Sequence, residues 1–213
     1  MTEARAAMGR IFRAREPRGL GEERVEGLAE LAARVRELTE AVVLTDVDDA
    51  EVAAVAAQVA ELTARLNTAR RQEPPSIEFG ADGAFRHLAG PVTGRLNPIA
   101  PPVEVAVHED GTVRGVFTLN AVYEGPPGCV HGGVAALVLD HVLGMAAAAN
   151  GTPGMTATLD MRYRRPTPHG VPLTVEAKAV RSEGRRTFVE AHITGPDGKV
   201  TVEATGMFVR PVH

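Results

Sequence analysis

Residues Cys129, Val130, His131, Gly132 and Gly133 stand where a glycine- and proline-rich loop, 124–128, meets the most apolar run of the chain, 134–149. If that run is a helix, its first turn leaves backbone N–H groups without partners, at the positive end of the dipole. Gly132 and Gly133 let a ligand approach those groups closely, and such groups hold negative charge well. One charge of this kind is the oxyanion that develops during acyl transfer. The same glycines would serve equally for a tight turn into the helix. Within the run lies Asp140, and a buried carboxylate without compensation is costly. It is either a structural acid that pairs locally or a general base or nucleophile. His141 is adjacent and faces another side of the helix, so it need not share that role.

The spacing of these groups has a geometric consequence. Nine residues separate His131 from Asp140, about 13.5 Å along a helix axis. A carbonyl held at Gly132 therefore cannot touch Asp140 of the same chain. A second copy with its helix antiparallel brings its own Asp140 to that point. The spacing argues for a two-fold dimer with two composite sites.

The chain that carries these residues changes character near Pro74 and Pro75. Before them, Val25, Leu28, Ala32, Val35, Leu38 and Val42 form one helical stripe, and Val52, Val55, Val59, Leu62, Leu66 and Ala69 form a second. Asp48 can cap the second helix, with Glu51 reaching back. Residues 1–73 are expected to be an N-terminal helical extension, built as a hairpin. Residues 74–102 are expected to be a connector rich in proline and glycine, in which Phe79, Phe85 and Leu88 are apolar enough to dock. From 103 onward the pattern is strand-like: 103–107, a turn at Asp110 and Gly111, then 112–119. After the helical run, ended by Asn150 and Gly151, strands are expected over 155–164, 173–182, 185–194 and 199–209. One long apolar helix followed by an antiparallel meander predicts an α+β fold, a sheet wrapped around a central helix. A helix apolar nearly all round fits burial against the sheet and against a second copy.

Composition excludes several classes. The chain has 213 residues, 44% of them apolar, and a formal charge of -4. That balance gives no reason to expect nucleic acid as partner, and the helical extension is itself slightly acidic. One cysteine, Cys129, excludes an internal disulfide framework. A thiol nucleophile at Cys129, with His131 near it in sequence, lacks a visible orienting third group. The seven histidines show no metal-ligand spacing, so no metal is expected. No run of 18 apolar residues is free of charge, so no membrane span is expected; the expected location is cytoplasmic. The five arginines of residues 1–19 read as a basic tail rather than a targeting segment. The rarity of lysine, found only at Lys178 and Lys199, reads as a base-composition bias of the source genome.

Two segments together resemble a known family. They run from Val130 through His131, Gly132 and Gly133 to Asp140, and from Met155 through Thr156, Arg162, Tyr163, Arg164 and Arg165 to Pro166. They resemble the hotdog-fold acyl-CoA thioesterases of the phenylacetate-pathway (PaaI-like) type, also called 4-hydroxybenzoyl-CoA thioesterase-like. The resemblance covers residues 103–211, and it implies a hotdog domain over 103–213. It implies that the Gly132 N–H polarises the thioester carbonyl, that His131 shapes the turn with Gly133 beside it, and that Asp140 activates water or attacks the carbonyl. Thr156, by itself a β-branched residue opening a strand, would orient the water or the acid. Arg162, Arg164 and Arg165 would meet the coenzyme A phosphates, though solvated surface charge explains them equally well. Some relatives carry an Asn about six residues before the His. Gly125 stands there in this chain, with Asn120 further upstream. No cofactor is implied, coenzyme A being part of the substrate. The implied assembly is a homodimer, or a dimer of dimers.

Three functions are compatible with these residues. The first is hydrolysis of an acyl-CoA thioester. The second is a non-catalytic acyl-CoA-binding sensor, with the helical extension as relay. The third is a hotdog dehydratase, which would want a His/Asp or His/Glu pair in another arrangement. Asp140 and Thr156 together favour the first.

Overall fold

A computed structural model describes residues 20–75, 77–79, 85–151 and 153–211. The basic tail of residues 1–19 lies outside the described residues, as do the side chains of Phe79 and Phe85. The chain opens with two helices, α1 (Glu22–Leu44) and α2 (Asp49–Asn67). Asp48 caps α2, its carboxylate accepting the Glu51 N–H at 2.9 Å, which satisfies one of the helix's unpaired donors. The connector contains a small antiparallel pair, β1 (Ile77–Phe79) and β2 (Phe85–His87), that its weak periodicity does not announce.

The main sheet is antiparallel and six-stranded. Its strands are β3 (Val103–Val107), β4 (Val113–Thr118), β5 (Met155–Tyr163), β6 (Pro172–Glu183), β7 (Arg186–Thr194) and β8 (Val200–Val209), in the order β3-β4-β6-β7-β8-β5. The long helix α3 (Gly132–Ala149) lies in the curl of this sheet. Ala135, Val138, Leu139, Val142, Leu143, Ala146 and Ala147 are its buried face. Alternate residues of the strands meet that face, among them Val175 and Ala177 on β6 and Val189, Ala191 and Ile193 on β7. Each fully buried aliphatic side chain contributes about 1.5–3 kcal/mol. This burial, rather than helix propensity, holds α3 in place. By length and composition α3 could cross a bilayer, with a mean hydropathy of 1.6, but it is the core helix of the sheet. The α+β architecture read from the sequence is the one observed: two helices, then a sheet wrapped around a central helix.

The two N-terminal helices behave differently. α1 buries Val25 and Ala32 and packs on a short 3-10 turn, Ala121–Tyr123. Arg95 in the connector grips Glu26 with two hydrogen bonds, at 2.9 and 2.7 Å. Arg36 donates to the Asn97 carbonyl at 3.1 Å. In the connector Leu88, Val92 and Ala100 are buried, and Val92 joins the core between the sheet and α3. The first helix is thus part of the folded body. α2 is not, since none of its residues is buried. Its expected stripe faces outward.

Candidate active site

His131 is the N-cap of α3, and its role follows from three bonds. Its Nδ1 accepts the Gly133 N–H at 3.0 Å, so that nitrogen carries no proton. Its carbonyl accepts the Val134 and Ala135 N–H groups at 2.9 and 3.3 Å. Its own N–H donates to the Tyr123 carbonyl at 2.8 Å, which ties the turn to the 3-10 segment under α1. One donor of the first turn is left over. Among the described residues, the Gly132 N–H has no acceptor. The opposite side of that residue is braced, because the Tyr163 hydroxyl donates to the Gly132 carbonyl at 2.9 Å. Tyr163 stands 31 residues from Gly132 in sequence, and only the folded strand brings the two together.

Gly125 explains the missing loop Asn. A Cβ placed there would lie 2.7 Å from the His131 Cα and 3.1 Å from its Cβ. The loop passes so close to the cap that only glycine fits. Asn120 does not substitute for the Asn, because its side-chain oxygen accepts the Val122 N–H and caps the 3-10 turn.

Asp140 lies two turns further along α3, half-buried rather than enclosed. The Thr156 hydroxyl donates to its Oδ1 at 2.9 Å, sixteen residues away in sequence. No basic side chain pairs with it among the described residues. His141 turns away from this group, and its Nε2 lies 3.0 Å from the Thr93 hydroxyl in the connector. Burial holds its pKa below the ordinary histidine value, with nearby His87 acting in the same direction and Asp140 against it. Thr156 lies on β5, one of the two edge strands, whose residues are nearly all exposed, Tyr163 among them. One strand therefore touches both ends of this region, Asp140 through Thr156 and the glycine turn through Tyr163.

The three arginines at the end of this strand are not equivalent. Arg164 is paired with Glu203 on β8, at 2.7 and 2.8 Å. Arg165 donates to the Val200 carbonyl at 3.1 Å. Arg162 is exposed and has no partner among the described residues. Cys129 is a half-buried free thiol in the loop that leads to the cap.

An antiparallel sheet curled around one long helix, with a capped glycine turn at the helix start, is a hotdog domain. Comparison with known proteins places it further. The model of the thioesterase superfamily matches residues 127–202, which include the turn, Asp140 and Thr156. A crystal structure of a thioesterase superfamily protein shares 40% identity with a TM-score of 0.78, covering 85% of this chain and 94% of that one. That share is more than the hotdog strands and helix alone supply, so the likeness runs into the N-terminal region. The chain belongs to the thioesterase superfamily. Acyl-coenzyme A thioesterase THEM4 of Xenopus laevis is 35% identical over 96 residues, 45% of this chain and 43% of the relative. THEM4 of Mus musculus is 36% identical over 88 residues, 41% and 38% of the two chains. The match spans less than half the length of these curated relatives.

Proposed function

We propose that this protein hydrolyses an acyl-CoA thioester to the free acid and coenzyme A, at a site shared between two copies of the chain. The carboxylate of Asp140 takes a proton from a water molecule, which attacks the thioester carbonyl carbon. The carbonyl oxygen becomes an oxyanion and is received by the Gly132 N–H of the other copy. Collapse of this intermediate breaks the C–S bond, and the proton on Asp140 passes to the departing thiolate. The alternative is direct attack by Asp140, with water resolving the resulting anhydride. Thr156 occupies Oδ1 and so leaves the second carboxylate oxygen for the reacting partner. His131 and Gly133 hold the turn, and Tyr163 braces it.

The observation that carries this reading is the Thr156–Asp140 hydrogen bond at 2.9 Å. It orients a carboxylate on a largely apolar helix, with no basic side chain paired to it among the described residues. The unengaged Gly132 N–H supports it from the other end. The length of α3 between them is why a second copy is needed, and the exposed edge strand β5 offers that copy a surface. Arg162 is the best placed of the arginines for a coenzyme A phosphate. Arg164 would first have to leave Glu203, and Arg165 is already engaged in part. A cytoplasmic homodimer, alone or as a dimer of dimers, fits this reading.

The experiment is release of free thiol from a panel of acyl-CoA esters, by wild type and Asp140→Asn. Loss of a general base costs about 100- to 10,000-fold. Near-normal turnover in a folded Asp140→Asn protein would remove Asp140 from the chemistry. Binding of acyl-CoA without hydrolysis of any ester would favour the sensor instead.

A further inference from the structure

The helix α2 buries nothing, yet its large apolar residues are not scattered among its alanines. Val52, Val55, Val59, Leu62 and Leu66 follow steps of three, four, three and four. That alternation is the seam of a coiled coil, narrower than the stripe of a helix lying on a globular core. Val52, Leu62 and Leu66 are 47%, 51% and 58% exposed. Val42, Val43, Leu44 and Val47, at the joint with α1, are exposed as well. Ala56 and Thr63 flank the seam and are small enough to admit a second backbone. A contiguous apolar ridge of this kind marks an interaction surface.

The charges of the helix say what fits it. Asp49 and Glu51 stand in its first turn and Arg65 in its last, with Arg70 and Arg71 just beyond. Among the described residues none of these has an ion-pair partner within the chain. On α1, by contrast, Arg34 is held between Glu30 and Glu37 at 2.7 and 2.8 Å. A parallel pairing of two α2 helices would set acid beside acid and Arg65 beside Arg65. An antiparallel pairing sets the acidic first turn of each against the basic end of the other and opposes the helix dipoles.

We propose that α2 is a self-association surface that pairs antiparallel with α2 of a second copy of this chain. The seam fixes the register, with Val55 opposite Leu66 and Val59 opposite Leu62. The contact is small, and it acts as a second tie between copies held together elsewhere, which raises its effective concentration. It is independent of whether the chain hydrolyses thioesters.

Cysteine cross-linking of the full chain tests it, on a Cys129→Ser background. Val55→Cys and Leu66→Cys chains, co-expressed and oxidised, should form a disulfide between the two variants. Each variant alone should not, because the two copies of position 55 lie about 16.5 Å apart along the antiparallel pair, and a disulfide needs Cα atoms within roughly 7 Å. Adding Leu62→Asp should abolish the mixed product. Circular dichroism of each variant should match the parent, since no substituted side chain is buried, so absence of the bond is not absence of the fold. Self-cross-linking of either variant means a parallel pair and overturns the proposal. No cross-link in the mixture, as when another part of the chain or a different protein covers the ridge, overturns it too.

Discussion

Replacing Thr156 by Ala removes one hydrogen bond and little else. The hydroxyl donates to Asp140 Oδ1 at 2.9 Å, and the residue is exposed on the outer strand. A hydrogen bond to a charged group is worth about 1.5–3 kcal/mol, and exposure puts this one at the lower end. If the bond positions the carboxylate throughout the reaction, its loss raises the barrier by about 1.5 kcal/mol, close to tenfold in rate. The effect is thus well below that of Asp140→Asn, for which the range is about 100- to 10,000-fold. Thr156→Ser keeps the hydroxyl and should retain most activity. Initial rates of thiol release at saturating ester measure all three, with denaturant unfolding as the control for stability. A loss in Thr156→Ala equal to that in Asp140→Asn would refute the division of roles. No loss at all would show that the contact does not position the acid during turnover.

Three further outcomes follow from contacts already described. Ala32→Asp buries an unpaired carboxylate under α1, which costs at least about 2 kcal/mol. Because α1 supports the 3-10 turn whose Tyr123 carbonyl holds His131, both unfolding midpoint and thiol-release rate should fall, and unchanged values of both would show α1 to be dispensable. Gly125→Asn restores the loop Asn of some relatives but drives a Cβ to within 2.7 Å of His131; overpacking of this kind costs about 1–3 kcal/mol, so turnover should fall, and a gain in turnover would contradict the steric reading. Burial depresses the pKa of His141, so above its unfolded value both states are neutral, and as pH falls below it the unfolded chain takes up the proton first. Its contribution to stability is therefore full above about pH 6.5 and is lost as pH falls towards the folded pKa. Thermal unfolding at pH 7.5 and 5.5 should show a smaller difference in His141→Gln than in wild type, and equal differences would remove His141 as a cause.

The glycine turn and the acid of α3 were legible in the sequence because these residues break local rules. Two adjacent glycines at a helix start and an acid inside an apolar run both need explaining, and the strands after the helix alternate cleanly between Gly-marked turns. What stayed hidden depends on strand order and on close approach. Thr156 was reached only through the family resemblance, because its contact with Asp140 arises where β5 folds back to the edge beside β8, and Arg164 meets Glu203 only through the pairing of those two strands. The reason for Gly125 is a van der Waals contact with His131, which spacing does not encode. The stripes of α1 and α2 read alike in sequence, yet one docks and the other does not, because docking depends on the complementary surface that the connector and the 3-10 turn supply to α1.

The claim that one site uses Gly132 of one copy and Asp140 of the other is tested most directly by complementation. Asp140→Asn chains are co-expressed with Gly132→Pro chains, which lack the free N–H. Proline suits this place, the first residue of α3, better than any other in the helix. His131 already has the extended backbone that a following proline requires, at ψ 133°. The nearest atoms a new Cβ meets are the Tyr163 ring at 3.2 Å and its hydroxyl at 3.3 Å, the end of an exposed side chain. Each parent dimer should be nearly inactive. In a mixed dimer with shared sites, one site carries both defects and the other carries neither, so about half the wild-type activity per dimer should return. If both groups came from a single chain, each site of the mixed dimer would carry one defect. Folded, mixed dimers without recovered activity would contradict the shared site.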